Sequence, residues 1–182
     1  LVGAISNQSF GVTGHQHVLD WGEFGFTKDG KLFKPQNLAA DDEQNIYVTD
    51  SGNAKVQKFT SDGKFLLSWG TNGKEDGQFL VPFGIATFEN FVYVVDEKQF
   101  TVQKFDSDGN FILKWGEFGY KPGQFNMAKG ITVDSNGIVY VADTVNHRIQ
   151  QFTADGEFIS SFGKYGFADG GLKTPVDIAI SG

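Results

Sequence analysis

The sequence has no cysteine, one methionine, four prolines and three histidines among its 182 residues. Without cysteine there can be no disulfide, no thiolate metal site and no cysteine nucleophile. The chain also lacks any run of about 18 apolar residues, so we expect no membrane insertion. Lys and Arg number 15 against 22 Asp and Glu, which gives a formal net charge of −7. Because affinity for a phosphate backbone comes from Lys and Arg, this balance argues against a nucleic-acid partner.

Glycine and phenylalanine are abundant, with 24 and 19 copies, and aromatic residues make up 15% of the chain. This combination is typical of many short strands joined by tight turns, and it fits a helical protein poorly. No segment shows a convincing helical period of apolar residues. The composition therefore predicts an all-β protein.

An internal repeat of 46 to 48 residues is marked by four features. An aromatic residue precedes glycine at Trp21, Trp69, Trp115 and Phe162. Asp-Gly pairs recur at 62–63, 108–109 and 155–156, and an acid that ends a strand recurs at Asp50, Asp96 and Asp143. A fourth marker is a glycine at Gly30, Gly77, Gly123 and Gly170. Four markers with one period indicate a repeat architecture.

Each repeat contains four segments typical of strands, which in the first repeat are 37–40, 46–49, 56–59 and 65–69. Equivalent strand segments in the next two repeats are 92–95, 102–105, 111–115, 139–141, 149–152 and 158–162. Four strands in each of about four repeats predict four-stranded antiparallel blades of a β-propeller. The predicted division is a part-blade at 1–22, full repeats at 23–70, 71–116 and 117–163, and a part-blade at 164–182.

The repeats resemble those of the NHL family, most clearly between Gly123 and Phe152. There Asp143 follows the second strand, and Asn146, Arg148 and an apolar strand follow in turn. The other repeats depart from this pattern, with Asn53 and Lys55 in one and Gln99 and Thr101 in the next. The resemblance implies the propeller fold, but the family includes binding modules, receptors and a few lyases, so it does not imply one activity.

The completeness of the ring is a separate question, because NHL propellers usually have six blades and 182 residues are too few for that. Segments 5–10 and 15–21 resemble third and fourth strands, and 175–180 resembles a first strand. These segments could close a small four-bladed ring. Alternatively, the chain is a fragment of a larger propeller or one of several chains in an assembly, which we favour. Open blade edges would then promote self-association.

The candidate binding residues come from two sets of loops that should share one face of a propeller. Loops entering the first strands contribute Gln36, Phe83, Lys129 and Val176. Loops between second and third strands contribute Lys98, Phe100, His147 and Arg148. Phe83 and Phe100 are aromatic in one repeat only, which favours a contact patch there. His147 and Arg148 could bind an anionic ligand, but we favour a structural role in which Arg148 pairs with an acid of an adjacent blade.

Metal binding has two weak candidates. Asp50, Asp96 and Asp143 could form a ring of carboxylates for Ca²⁺. The alternative, which we favour, is that each caps the turn after its strand by accepting backbone N–H bonds. His15 and His17 would share a strand face, but two ligands without a third are a weak zinc signal. We therefore expect no metal and no cofactor.

The favoured functional hypothesis is a non-catalytic binding or scaffold module, which would bind a protein or a glycan on the loop face. It could serve as a building block of an extracellular assembly, and we expect an extracellular or cell-surface location. One alternative is a metal-dependent propeller lyase or lactonase, although three histidines supply few ligands for such a centre. Another is an RNA-binding NHL domain, which the acidic charge disfavours. On balance the protein is more readily explained without catalysis.

Overall fold

The structure, a computed structural model, describes residues 21–26 and 28–180, and the regular secondary structure of this part of the chain is almost wholly β-strand. Three four-stranded antiparallel sheets follow one another, each with its strands in chain order. The predicted all-β fold with propeller-type blades is thus confirmed, and the sheets are called blades 1, 2 and 3. No helix in the described residues is long and apolar enough to span a membrane.

The strands are numbered in chain order. A short parallel pair comes first, formed by β1 (Glu23–Phe24) and β2 (Lys31–Leu32). Blade 1 contains β3 (Pro35–Ala40), β4 (Ile46–Asp50), β5 (Lys55–Phe59) and β6 (Phe65–Trp69). Blade 2 contains β7 (Pro82–Phe88), β8 (Phe91–Asp96), β9 (Thr101–Asp106) and β10 (Phe111–Trp115). Blade 3 contains β11 (Ile131–Val133), β12 (Val139–Asp143), β13 (Arg148–Phe152) and β14 (Phe158–Phe162).

The outermost strands β6, β10 and β14 have the bounds that their alternating apolar residues predict. Each is preceded by an Asp-Gly turn whose glycine has a φ of 82–84°, at Gly63, Gly109 and Gly156. This left-handed conformation is strained for residues with a Cβ atom, and it explains why glycine recurs there.

The repeated tryptophan binds one blade to the next, as the periodicity predicts. The Trp69 ring lies 5.6 Å from Phe105 of blade 2, and a Cβ atom at Gly109 would lie 2.7 Å from the indole. Trp115 packs in the same way against Phe152 and Gly156 of blade 3. Two clusters of buried apolar residues fill the spaces between neighbouring blades. The core is therefore divided among the seams between blades, as expected for sheets that are apolar on both faces.

Polar bonds cross the same seams. Lys58 of blade 1 donates to the Ser107 carbonyl at 3.2 Å, and Lys104 of blade 2 donates to the Ala154 carbonyl at 3.0 Å. The Thr49 hydroxyl donates to the Phe83 carbonyl at 2.7 Å. These bonds fix each blade relative to the next, so that loops from different blades keep a defined spacing.

Segment 175–180 is not assigned as a strand, which differs from its sequence expectation. It nevertheless lies beside blade 3, because a Cβ atom at Gly130 would be 2.6 Å from Asp177 Cα. No described strand lies next to it to complete a sheet, and the strand label depends on such pairing. Phe162 is correspondingly 51% exposed. The expected strands at 5–10 and 15–20, and His15 and His17, lie outside the described residues.

Candidate binding face

One face of the blade array carries two kinds of loop. The first kind joins the second strand to the third within a blade and is called the hairpin tip. The second kind joins β6 to β7, β10 to β11 and so on, and is called the connecting loop. They come together because the second and fourth strands of an antiparallel sheet end on the same side. We call this side the loop face, and the side with the remaining turns the opposite face.

Asp96 shows how a hairpin tip is attached to a connecting loop. Its fully buried carboxylate accepts backbone N–H bonds from Leu80 at 2.6 Å and Val81 at 3.1 Å, both in the preceding connecting loop. It also accepts bonds of 2.9 Å from the N–H groups of Lys98 and Gln99 in its own turn. The carboxylate therefore caps its turn, as the favoured interpretation expects, and holds the connecting loop as well.

Asp50 and Asp143 are also fully buried, and they accept backbone N–H bonds from the connecting loop and side-chain amide bonds from Asn53 and Asn146 in their own turns, at 2.7 and 2.9 Å. Asp50 accepts from the Phe33 N–H at 2.7 Å, and Asp143 accepts from the Asn126 N–H at 2.8 Å. Simple turn capping is thus too narrow a description of these acids. The cation hypothesis for them stays a prediction, and no group of three His, Asp or Glu suited to a metal occurs in the described part of the chain.

A buried glutamine in each third strand completes this attachment. The side-chain amide of Gln103 accepts from the Gly77 N–H at 2.9 Å and donates to the Gln78 carbonyl at 2.8 Å. Gln57 and Gln150 make the same two bonds with their own connecting loops. Sequence analysis missed this residue, although its spacings of 46 and 47 residues match the other markers.

Arg148 forms hydrogen bonds with other groups of the protein. Its Nε donates to Asp143 Oδ2 at 2.8 Å, and its terminal nitrogens donate to the carbonyls of Tyr120, Lys121 and Gln124 at 2.8–2.9 Å. The structural role is as expected, but Asp143 belongs to the same blade and not to an adjacent one. The hairpin of β12 and β13 places Asp143 and Arg148 directly opposite each other. Blade 1 has a counterpart in Lys55, whose hydrogen bond lowers the pKa of the Asp29 carboxyl.

Three hairpin tips present different side chains from one backbone position. Ala54, Phe100 and His147 all have positive φ values, of 52°, 61° and 57°. The Phe100 ring lies 5.0 Å from Phe118, and the His147 ring lies 4.9 Å from Tyr165. Ala54 is buried, whereas Phe100 and His147 are half-buried, so the residue at this position alters the local surface in blades 2 and 3. Nearby Lys98 is exposed and lies 3.4 Å from Glu97.

The first strands bring the other predicted candidates to the loop face. The Lys129 ammonium lies over the Phe83 ring, 4.9 Å from its centre, so these two residues of blades 3 and 2 are in contact. Gln36 is exposed and donates weakly to the Lys34 carbonyl at 3.3 Å. Val176 is 48% exposed.

An aromatic pattern in the connecting loops was not recognised from the sequence. After the repeated aromatic-Gly pair, a Gly separates two ring residues at Phe24 and Phe26, at Phe118 and Tyr120, and at Tyr165 and Phe167. The second repeat has Asn72 and Lys74 instead. The sequence signal for this pattern is its recurrence at the period of the repeat. We call Phe100, Phe118, Tyr120, His147, Tyr165 and Phe167 the aromatic band.

Charge is divided unequally between the two faces. The turns on the opposite face carry ten acids: Asp41, Asp42, Glu43, Asp62, Glu89, Asp106, Asp108, Asp134, Asp155 and Glu157. Four of the residues lining a cleft of 410 Å³ on that face are acidic. The negative charge of the chain is therefore concentrated on the opposite face more than on the loop face.

The comparisons with known proteins agree with the repeat geometry. The model of the NHL repeat matches residues 34–59 and 125–152. Protein brain tumor of Drosophila melanogaster is 34% identical over 70 residues, which cover 38% of this chain and 7% of that protein.

Two solved structures show the same fold at low identity. A virginiamycin B lyase from Staphylococcus aureus with quinupristin superposes with a TM-score of 0.58 at 16% identity, over 79% of this chain and 44% of the lyase. The nidogen/laminin complex matches with a TM-score of 0.53 at 17% identity, over 70% of this chain and 48% of that one. The chain thus spans less than half the length of each of these proteins. The chain thus contains repeats of the NHL type, and its sheets have the fold of propeller blades.

Proposed function

We propose that the protein is a non-catalytic binding module that uses the loop face to bind a protein or a glycan. The observation that carries this proposal is the equivalent position of Ala54, Phe100 and His147. One left-handed backbone position holds a buried alanine in blade 1 and two unlike, half-buried side chains, Phe100 and His147, in blades 2 and 3. The acids and glutamines beneath them keep the loops in place whatever the tip residue is, so the surface can vary without loss of the fold.

Single-stranded RNA is a second candidate, and one observation favours it. Lysine ammonium groups lie over exposed or half-exposed rings at Lys34 with Phe33, Lys129 with Phe83 and Lys173 with Phe167. Cations beside aromatic rings are the usual components of a surface for single-stranded nucleic acid. The acidic residues weigh less against RNA than the net charge suggests, because ten of them lie on the opposite face.

The test compares the two faces. Wild-type protein is screened against a glycan array, a displayed peptide library and oligouridylate, and each hit is measured again with variants. Phe83→Ala, Lys98→Ala and Lys129→Ala alter the loop face, whereas Asp42→Ala and Asp62→Ala are controls on the opposite face. Weaker binding by the loop-face variants, with unchanged binding by the controls, supports the proposal. Hits that depend on Asp42 or Asp62 would refute it, and hits restricted to oligouridylate would favour the RNA candidate.

We also propose that the chain associates through its open blade face. Phe162 in the outer strand of blade 3 is 51% exposed, whereas its counterparts Trp69 and Trp115 are half-buried by the next blade. Light scattering after size exclusion gives the mass of the species in solution. A multiple of the chain mass supports association, and a monomer at all concentrations contradicts it. An extracellular or cell-surface location stays a prediction, to be checked by fractionating cells of the source organism.

A further inference from the structure

We infer that the aromatic band binds a polypeptide segment that carries apolar and acidic side chains. This inference rests on the proposed binding role of the loop face and names the partner and the residues. The band runs from the hairpin tip of blade 2, along the connecting loop before blade 3, to the loop that follows blade 3.

The band consists of two groups of rings on the loop face. In the first, Phe100 contacts Phe118, and Tyr120 lies two residues further along the same connecting loop. In the second, His147 contacts Tyr165, whose ring lies 6.0 Å from Phe167. Arg148, next to His147, links the two groups by binding the Tyr120 carbonyl.

The exposed area is large for a surface without a function. The exposed fractions are 64% for Phe118, 78% for Tyr120, 58% for Tyr165 and 82% for Phe167. With roughly 200 Å² for each aromatic side chain, these four expose on the order of 550 Å². A standard interface buries about 800 Å² on each partner, so the band supplies most of one. Phenylalanine and tyrosine are also typical residues at the centres of protein interfaces.

The orientation of the rings favours apolar side chains over bases or sugars. The ring planes of Phe100 and Phe118 meet at 62°, and those of Tyr165 and Phe167 meet at 72°. Stacking of a base or a sugar requires an open, flat ring face. Here the Lys173 ammonium lies over one face of Phe167 at 5.2 Å, the pairs Phe100–Phe118 and Tyr165–Phe167 stand edge to face, and His147 is tilted at 57° to Tyr165. Projecting edges leave notches between them, into which aliphatic or aromatic side chains fit.

His147 adds one polar contact of fixed direction. Its Nδ1 accepts the Thr174 backbone N–H at 3.0 Å, so the proton of the neutral imidazole is on Nε2. The Nε2–H is then a donor at the edge of the rings. A peptide carbonyl or a carboxylate would accept this bond.

The charges beside the band select acidic partners. Four exposed lysines lie next to band residues, namely Lys98, Lys121, Lys164 and Lys173, against three acids: Glu117 and Asp169, which are exposed, and Glu97, which lies 3.4 Å from Lys98. In the whole chain acids outnumber bases by 22 to 15, so the local excess of lysine is the reverse of the general balance. Charge complementarity of this kind steers association and excludes basic partners.

The test uses phage-displayed random dodecapeptides against the immobilised full chain. We expect enriched clones to combine apolar residues with Asp or Glu. Affinities of synthetic copies are then measured by fluorescence anisotropy. Phe118→Ser and Tyr165→Ser should each weaken binding at least about tenfold, as at interface hot spots. Ile112→Ser is the matched control, since Ile112 is 42% exposed on β10 and lies outside the band.

A charge variant provides an independent measurement if the serine variants fail to fold. Lys121→Glu with Lys173→Glu should weaken binding of the acidic peptides and reduce its dependence on salt, and Lys64→Glu on the opposite face should not. The inference is overturned if no peptide is enriched, if basic peptides are enriched, or if oligouridylate binds through the same rings. Hits that require Phe83 and Lys129 but not the band would also overturn it, while leaving the proposed function intact. Hits on the opposite face would refute both.

Discussion

The side-chain amide of Gln103 clamps the backbone beside Gly77, which lies 26 residues earlier, by accepting from the Gly77 N–H at 2.9 Å. The same amide donates to the neighbouring carbonyl of Gln78. A connecting loop without regular secondary structure is thereby fixed to the centre of a blade. The clamp recurs at Gln57 and Gln150, so it is a constant part of the repeat on which the loop face is built.

The clamp predicts that Gln103→Leu destabilises the fold. The Gly77 N–H would lose its partner and the Gln78 carbonyl would keep the bond from the Gln99 amide, which together cost about 2 kcal/mol in the free energy of unfolding. Urea denaturation followed by tryptophan fluorescence measures this loss. Gln36→Leu is the control, because Gln36 is exposed and should change stability by less than about 0.5 kcal/mol. Equal effects of the two substitutions would show that the clamp contributes nothing specific.

The tryptophan packing predicts different costs for two glycine substitutions. Gly109 and Gly123 have nearly equal φ values of 84° and 80°, so alanine pays a similar backbone strain of about 1 kcal/mol at each. Only Gly109 lies against an indole, whereas nothing lies within 4 Å of a Cβ atom at Gly123. Gly109→Ala should therefore cost about 1–3 kcal/mol more than Gly123→Ala. Thermal unfolding of the two variants measures the difference, and equal values would contradict the proposed role of Trp69.

Two equivalent tyrosines should respond differently to removal of the hydroxyl. Tyr47 donates to Asp41 Oδ2 at 2.9 Å, whereas the buried Tyr93 hydroxyl has no partner among the described residues. Blade 2 has Phe88 where the register of blade 1 places Asp41, which accounts for the loss. Tyr47→Phe should cost about 1 kcal/mol, and Tyr93→Phe should be neutral or slightly stabilising. Chemical denaturation measures the free energy of unfolding of both variants, and a larger loss for Tyr93→Phe than for Tyr47→Phe would contradict this prediction.

The same tyrosines predict a loss of stability in alkali. Burial, with smaller contributions from Asp155 and Glu89, raises the pKa of Tyr93 to about 12. Burial and then the bond to Asp41 also raise the pKa of Tyr47 above its ordinary value. The unfolded chain loses these protons near pH 10, so stability is complete below that pH and falls as the pH rises toward 12. Unfolding followed by fluorescence between pH 9 and 12 tests this, and Tyr93→Phe should make the decline shallower.

Added Ca²⁺ or Zn²⁺ should leave the melting temperature unchanged. The carboxylates of Asp50, Asp96 and Asp143 are occupied by N–H donors, which a cation would have to displace. A scan with each metal and then with a chelator measures the effect. A rise in melting temperature that disappears in Asp143→Asn would instead support the cation hypothesis and the enzyme alternative.

The sequence by itself determined the repeat, the blade strands and the glycine turns. These depend on local conformation and on a period that four kinds of residue mark independently. It also correctly indicated that Trp69 and Trp115 pack between blades, because a residue repeated in every unit contacts the same neighbour each time.

Only the tertiary structure decided which loops meet. The bond of Asp143 to Asn126 and the clamp of Gln103 on Gly77 join segments 17 and 26 residues apart, and no local pattern encodes such pairings. The contact of Phe100 with Phe118 likewise joins the hairpin tip of blade 2 to the connecting loop that follows β10. It depends on the pairing of β9 with β10 and on the path of the connecting loop, which bonds to blade 3 hold in place.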